Sequence, residues 1–516
     1  MERKNLDVII ILIVAGFIML FKLGAVPLLD PDEPVYIQTA LEMLNHNDFI
    51  SPRIYGDFWY DKPPMYYWLI ALAVKFFGAT ELSARLPSAV LAIAGAMLVY
   101  YYGNRLFDRR SALYGALILV TSFEYFYLGK AAVTDITLSC FFSGVIFAYL
   151  SKQYRLMYVF MGLSVLTKGP VGIVLPLAII LLHLIATKNW IEIFNLKIFQ
   201  GGIIFLLITV PWYGMMYNLH GMDFIETFLG FHNVTRFLSP EHESGQIWYY
   251  YLPVLCIGFF PWVSYLLPAL YEGWREKNKE KGKNILALMI WLSIVFVFFS
   301  VSQTKLISYI LPMYPPMALL TGWYMNRCIK EFRIKTLNFA GAGMMLISLL
   351  IFIVLEITAE YKLGIQINGI KYLGVLFVGM VSWVFLSNFV KNRRCYLLGI
   401  VVGMMGFVVI LMNCIFPAIT DFVSVKPTAE VFNEVYVNQS TPVYVEKFYR
   451  PGFCYYTGVA GRELKTDLQA AVKGEKEAYF LVREKNFDQL SIKEKENLMI
   501  INKQKDVLLL YKVQSG

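Results

Sequence analysis

Apolar runs, each about long enough to cross a bilayer and separated by short polar gaps, recur from the N-terminus to about residue 417. A hydrocarbon core of roughly 30 Å requires about 20 apolar residues as a helix, and a chain in lipid must satisfy its backbone hydrogen bonds internally. Those two demands leave a polytopic α-helical membrane protein as the fold class. Composition agrees: only 16% of the 516 residues are charged, against about 25% in a soluble domain. The runs place about thirteen transmembrane helices near 8–28, 84–106, 111–128, 132–150, 154–167, 169–187, 198–217, 248–272, 285–302, 306–325, 336–357, 371–390 and 396–417.

Charge sets the orientation. Basic residues cluster in gaps at Arg105/Arg109/Arg110, Lys152/Arg155, Arg275 to Lys283, Arg327 to Lys335 and Lys391/Arg393/Arg394. With the N-terminus inside, alternation puts every one of these gaps in the cytoplasm, as the positive-inside rule requires. The net charge of +9 is therefore a topology signal rather than a nucleic-acid face. The first run is too long for a cleaved signal and reads as a retained anchor. Loops 29–83, 218–247 and 358–370 then lie outside. Within the first, 34–44 and 65–77 are amphipathic or apolar but short, and read as interfacial helices. The six cysteines are scattered, with no CxxC pair and no His-rich partner, which argues against a zinc module or disulfide framework.

Beyond about residue 418 the composition becomes that of a soluble domain. Alternation at 441–446, 478–482 and 507–513 predicts strands, and 462–472 a polar helix. The chain thus divides into a membrane domain, 1–417, carrying the outer loop 29–83, and a small C-terminal α/β extracytoplasmic domain, 418–516.

The first outer loop opens Asp30-Pro31-Asp32-Glu33-Pro34 and closes Tyr60-Asp61-Lys62-Pro63-Pro64. Group transfer at a membrane surface needs a base for the acceptor and cations for a phosphate leaving group. Asp32 and Glu33 are candidate bases and Lys62 a candidate cation; the structural alternative is that Asp30 and Asp32 cap a helix starting near Pro34, with Glu33 favoured by its dipole. Asp135, at the outer end of a span, is costly to bury there and reads as functional or as a cap. Lys168, in Thr167-Lys168-Gly169-Pro170, meets a phosphate or snorkels. Arg236 suits a phosphate fork. His232 is a solvated loop histidine or, with Asp61 or Glu33, one side of a divalent-metal site. Lys305 is an interfacial anchor, and Tyr309 one turn further on faces a lipid phosphate. The aromatic run 248–251 reads as an interfacial belt.

In order, Asp32-Glu33-x-x-Tyr36, Asp61-Lys62-Pro63-Pro64-x-Tyr66-Tyr67-Trp68, Arg85-Leu86-Pro87, Thr134-Asp135, Thr167-Lys168-Gly169-Pro170, His232-Asn233-x-x-Arg236-Phe237 and Lys305-Leu306-x-x-Tyr309-x-Leu311-Pro312 resemble bacterial relatives of the protein O-mannosyltransferases. In particular they resemble the aminoarabinose transferases of lipid A. The resemblance covers about residues 1–325. It implies a GT-C fold and a glycosyltransferase that takes sugar from a polyprenyl (undecaprenyl) phosphate on the outer face of the bacterial inner membrane. It implies Asp32 as catalytic aspartate, Asp135 as a second important aspartate, and Lys62, Arg236 and Tyr309 around the lipid phosphate. Inversion follows if no carboxylate serves as covalent nucleophile. The acceptor is lipid A or lipopolysaccharide, another glycan, or a protein; the one cofactor candidate is a divalent metal, the lipid-linked sugar being a substrate. Asp61 stands where those transferases carry Glu, one methylene longer.

The rival class is a transporter or flippase of lipid-linked sugars. It predicts charges near the middle of several spans and repeated halves. Here the charges sit at outer span ends and no halves repeat. An outer-surface binding protein would leave the outer-face motifs unexplained.

Overall fold

The computed structural model describes residues 2–235, 238, 247–277, 282–362, 364–387, 395–436, 440–464 and 468–512. The chain forms two compact units. The first comprises Met1–Phe21, Tyr60–Tyr66 and Arg85–Cys414; the second comprises Lys22–Trp59, Tyr67–Ala84 and Ile415–Gly516.

The first unit is helical. Six helices have the length and apolarity of a membrane crossing: Glu81–Leu106, Ile198–Thr235, Gly282–Val301, Lys335–Tyr361, Asn368–Leu386 and Cys395–Val423. Two bent pairs, Arg109–Thr121 with Phe123–Gly129 and Tyr251–Gly258 with Val263–Glu276, raise the number to eight among the described residues. The remaining runs expected to span are also helical. Asp135–Leu150, Tyr154–Lys168, Val171–Ala186 and Tyr314–Lys330 are shorter, and Glu2–Leu20 carries charges in its first two turns.

The bent pairs show how a helix breaks at apolar depth. The first pair turns by 66° and the second by 108°. At Ser122 the backbone is extended (φ −74°, ψ 132°). Thr121 and Ser122 turn their hydroxyls back onto Leu117 and Ile118 carbonyls at 2.6 and 2.7 Å. What the break leaves open is met by the other pair: Phe123 N–H donates to Phe260 O at 3.1 Å, and Trp262 Nε1 donates to Thr121 Oγ1 at 2.9 Å. Two interruptions thereby satisfy one another, as non-helical backbone in a bilayer must. Nearby, Gly322 packs so closely on the Arg109–Thr121 helix that a Cβ there would stand 2.5 Å from Gly115 N. Small residues of this kind let helices approach where lipid offers no hydrophobic driving force.

In the second unit, helix Asp32–His46 is followed by the two-residue strands β1 (Arg53–Ile54) and β2 (Asp57–Phe58). Further on come β3 (Val443–Val445), β4 (Arg462–Glu463), β5 (Ala478–Arg483), β6 (Leu498–Gln504) and β7 (Val507–Lys512), in the order β4-β3-β5-β7-β6. The β3 strand runs parallel to β4 and β5, and β7 antiparallel to β5 and β6. Strands form where alternation predicts them. The helix predicted over 462–472 does not begin there: Gly461 (φ 55°) turns Arg462–Glu463 into an edge strand, and the helix is Leu468–Gly474, which buries Leu468 and Val472. Phe432, Phe453, Val445 and Leu509 centre one core of this unit, and Phe480, Leu508 and Leu510 another.

Candidate functional site

A cavity of about 540 Å³ opens within the first unit. Its polar lining is Asp61, Lys62, Lys168, His232, Asn233, Ser302, Thr304 and Tyr309, set among apolar side chains that include Val171, Leu229, Phe298 and Phe299. Four local signals deliver these groups. Pro63 and Pro64 fix the backbone after Lys62, immediately before helix Met65–Phe77. Lys168 is the last residue of Tyr154–Lys168. The helix must stop there, because Gly169 takes φ 76° and any Cβ on it would meet the Phe228 ring at 2.8 Å. His232 and Asn233 lie on a π-helical stretch, Glu226–Thr235, that follows a backbone reversal at Gly221 (φ 57°); such stretches recur at functional sites. Tyr309 sits on the 3₁₀ turn Ile307–Met313, its ring 5.4 Å from that of Phe299.

The charges are coupled in two sets. Asp61 Oδ1 is 2.9 Å from Lys62 Nζ and 2.8 Å from His232 Nδ1. Lys168 Nζ is 2.6 Å from Asp135 Oδ1 and 4.6 Å from the centre of the Tyr309 ring. None of these five charged or ionisable side chains is more than 15% exposed. Their fields are therefore felt across the cavity far more strongly than in water. Asp135 opens helix Asp135–Leu150 without being part of the cavity lining; it holds Lys168 from behind. Lys305 is buried beside the same turn, and burial lowers its pKa from the ordinary lysine value. Tyr251, in the aromatic run, donates to Leu306 O at 3.1 Å and so supports the turn bearing Tyr309.

For the metal candidate, the structure brings Asp61 and His232 together as expected. Among the described residues, however, no group of three or more His, Cys, Asp or Glu is arranged to hold an ion. The shared Asp61 oxygen is already in contact with the Lys62 ammonium. Among the described residues these two side chains would therefore supply at most two protein ligands to an ion.

Asp32 and Glu33 stand in the second unit, in the first turn of Asp32–His46. Asp32 is exposed, at the positive end of the helix. Glu33 is buried, and its Oε2 accepts from Leu29 N at 2.8 Å while its own N–H donates to Leu29 O at 3.3 Å. That reciprocal pair ties the first turn back to Leu29; the N-cap position of Asp32–His46 is Pro31, not Asp30 or Asp32 as the capping alternative expected. Arg236 lies outside the described residues. Sequence reading passed over Ser302 and Thr304, which line the cavity; hydroxyls in an apolar hairpin carry no pattern that would single them out.

Residues 61–214 match the model of the dolichyl-phosphate-mannose-protein mannosyltransferase family. An undecaprenyl phosphate-α-4-amino-4-deoxy-L-arabinose arabinosyl transferase of Yersinia pestis (strain Pestoides F) is 30% identical over 389 residues, 70% of this chain and 69% of that one. A protein of Aquifex aeolicus is 30% identical over 321 residues, 62% of this chain and 74% of its own length. The crystal structure of ArnT from Cupriavidus metallidurans bound to undecaprenyl phosphate superposes with a TM-score of 0.81, covering 98% of each chain at 20% identity. At that identity the likeness establishes the fold, and the GT-C architecture is the architecture of this chain.

Proposed function

The chain belongs to the family of bacterial undecaprenyl phosphate-aminoarabinose arabinosyl transferases, and on that premise we propose that it transfers a sugar from an undecaprenyl phosphate carrier to lipid A or another envelope glycan. The observation that carries this reading is the cavity in which Lys62 and Lys168 offer two ammonium groups within an apolar wall. A polyprenyl phosphate departs as a phosphate monoester, a stable anion, so the leaving group needs positive charge rather than a proton. Lys62 and Lys168 supply that charge, with the Tyr309 hydroxyl, and Arg236 by its place in the motif order, as further donors.

The acceptor hydroxyl or amine attacks the anomeric carbon from the face opposite the phosphate. The carbon–oxygen bond breaks, its electron pair leaves on the phosphate oxygen, and the configuration inverts. Asp32 takes the acceptor proton, an assignment supported by its position in the family motif and by its exposure. The reaction runs on the outer face of the inner membrane, where nucleotide sugars are absent and a lipid-linked donor is needed. About thirteen spans and an extracytoplasmic C-terminal domain complete this topology.

Membranes containing the full chain, given radiolabelled undecaprenyl phosphate-aminoarabinose and lipid A, test the reading. Asp32→Asn is expected to abolish transfer at normal protein level. Lys168→Ala, which removes a charge-assisted contact worth about 1.5–3 kcal/mol, is expected to weaken donor binding roughly tenfold to a hundredfold. Full activity of both variants would refute the mechanism.

A further inference from the structure

The segment that carries Asp32 is held by residues roughly four hundred positions away in sequence, all within the second unit. Asp30 N–H donates to Val423 O at 3.0 Å, and Asp30 Oδ2 accepts from Val425 N at 2.8 Å. The carboxylate and main chain of one residue thus clasp a single stretch of backbone. Leu28 N–H donates to Tyr456 Oη at 2.8 Å, so the anchoring extends two residues upstream. The fit at Asp30 is closed: a Cβ on Gly452 would stand 2.2 Å from Asp30 Oδ1 and 2.9 Å from a Val425 methyl. Gly452 lies within helix Arg450–Thr457 and is buried, so its lack of a side chain is required by contact rather than by backbone conformation. Tyr456, from the same helix, also contacts Glu81 at 3.3 Å, and Glu81 pairs with Lys426 at 2.8 Å.

These contacts do more than hold a loop down. Asp32 is two residues from Asp30 and its helix begins at that point, so the direction of the first turn is fixed by where Asp30 is clasped. We propose that the C-terminal segment works as part of the transfer machinery, with Asp30 and Gly452 as positioning residues that aim the Asp32 carboxylate. This rests on the role of Asp32 proposed above. A misplacement of about 1 Å at a reacting group costs on the order of a hundredfold in rate, so small shifts of this clasp are expected to appear in kcat.

The experiment uses the full-length chain in detergent, with undecaprenyl phosphate-aminoarabinose and lipid A as probes. Asp30→Ala and Gly452→Ala are expected to lower kcat roughly tenfold or more while KM for the donor stays within about twofold. Asp30→Asn keeps an oxygen facing Val425 N and is expected to recover most of the rate. Hydrogen exchange of the peptide covering 28–33 is read in parallel and is expected to quicken in both alanine variants. Wild-type kcat and wild-type protection in Gly452→Ala and Asp30→Ala would overturn the proposal. If Asp30→Ala does not fold, Gly452→Ala decides alone. Asp32→Asn separates the two readings: an active Asp32→Asn removes the catalytic role of Asp32, whereas an inactive one beside fully active clasp variants removes only the positioning role.

Discussion

At the scale of single residues, three neighbouring carboxylates in one short motif have three different fates. Asp32 is exposed, Glu33 closes the turn at Leu29, and Asp30 is buried against Val425 and Gly452. Burial pushes the Asp30 carboxyl from an ordinary value of 3.8 up to about 8; the Val425 and Gly452 N–H groups oppose the shift and the Glu33 charge adds to it. The sign of the consequence follows. Between those two values the native state keeps a proton that the unfolded chain has lost, so stability falls as pH rises across the window and levels off above about 8. Asn at this position carries no such dependence. Thermal unfolding of wild type and Asp30→Asn is expected to show wild type losing ground to the variant between pH 5 and pH 8.5. A difference that stays constant with pH would mean that Asp30 is ionised throughout. The motif itself was legible in the sequence as a concentration of charge. Its division of labour was not, because the groups that distinguish Asp30 lie near residues 423, 425 and 452.

Among the elements, the informative ones are those that stop. The run 111–128 and the run 248–272 each read as one span, yet each is two helices joined at a sharp break. Hydropathy measures how apolar a stretch is and is blind to direction. Ser122 and the Phe259–Trp262 turn are apolar or small enough to leave the average unchanged. The breaks are sustained by one another through Phe123 with Phe260 and Trp262 with Thr121. Trp262→Phe keeps most of the ring and removes the donor, leaving the Thr121 hydroxyl's acceptor role unfilled. A loss of about 0.5–1.5 kcal/mol is expected, read as a lower unfolding midpoint in detergent; an unchanged midpoint would show that the contact is dispensable. In the second unit β3, β5 and β7 were readable from their period of two, whereas β6 was not, its register being shifted between Ile500 and Asn502. The short edge strand at Arg462 was not, since two residues carry no period and Gly461 decides the turn.

For the molecule as a whole, the expected orientation rests on charge: every strongly basic gap falls on one parity of the expected spans. The proposed topology puts Asp61, Lys62, Lys168 and His232 on the opposite face. A single cysteine placed at His232 in a chain with its six native cysteines replaced is expected to react with a membrane-impermeant maleimide in intact cells whose outer membrane has been permeabilised. Labelling only after the inner membrane is broken would reverse the topology. The sequence also marked most of the cavity's charged residues, but could not show that Lys168 is shared between Asp135 and the Tyr309 ring. If Lys168 holds the donor phosphate as proposed, that sharing bears on throughput. A lone ammonium in a dry cleft would grip a spent lipid phosphate as firmly as an incoming one. Under this mechanism an ammonium with a resident carboxylate has somewhere to return, so that the exhausted carrier can be exchanged for a loaded one.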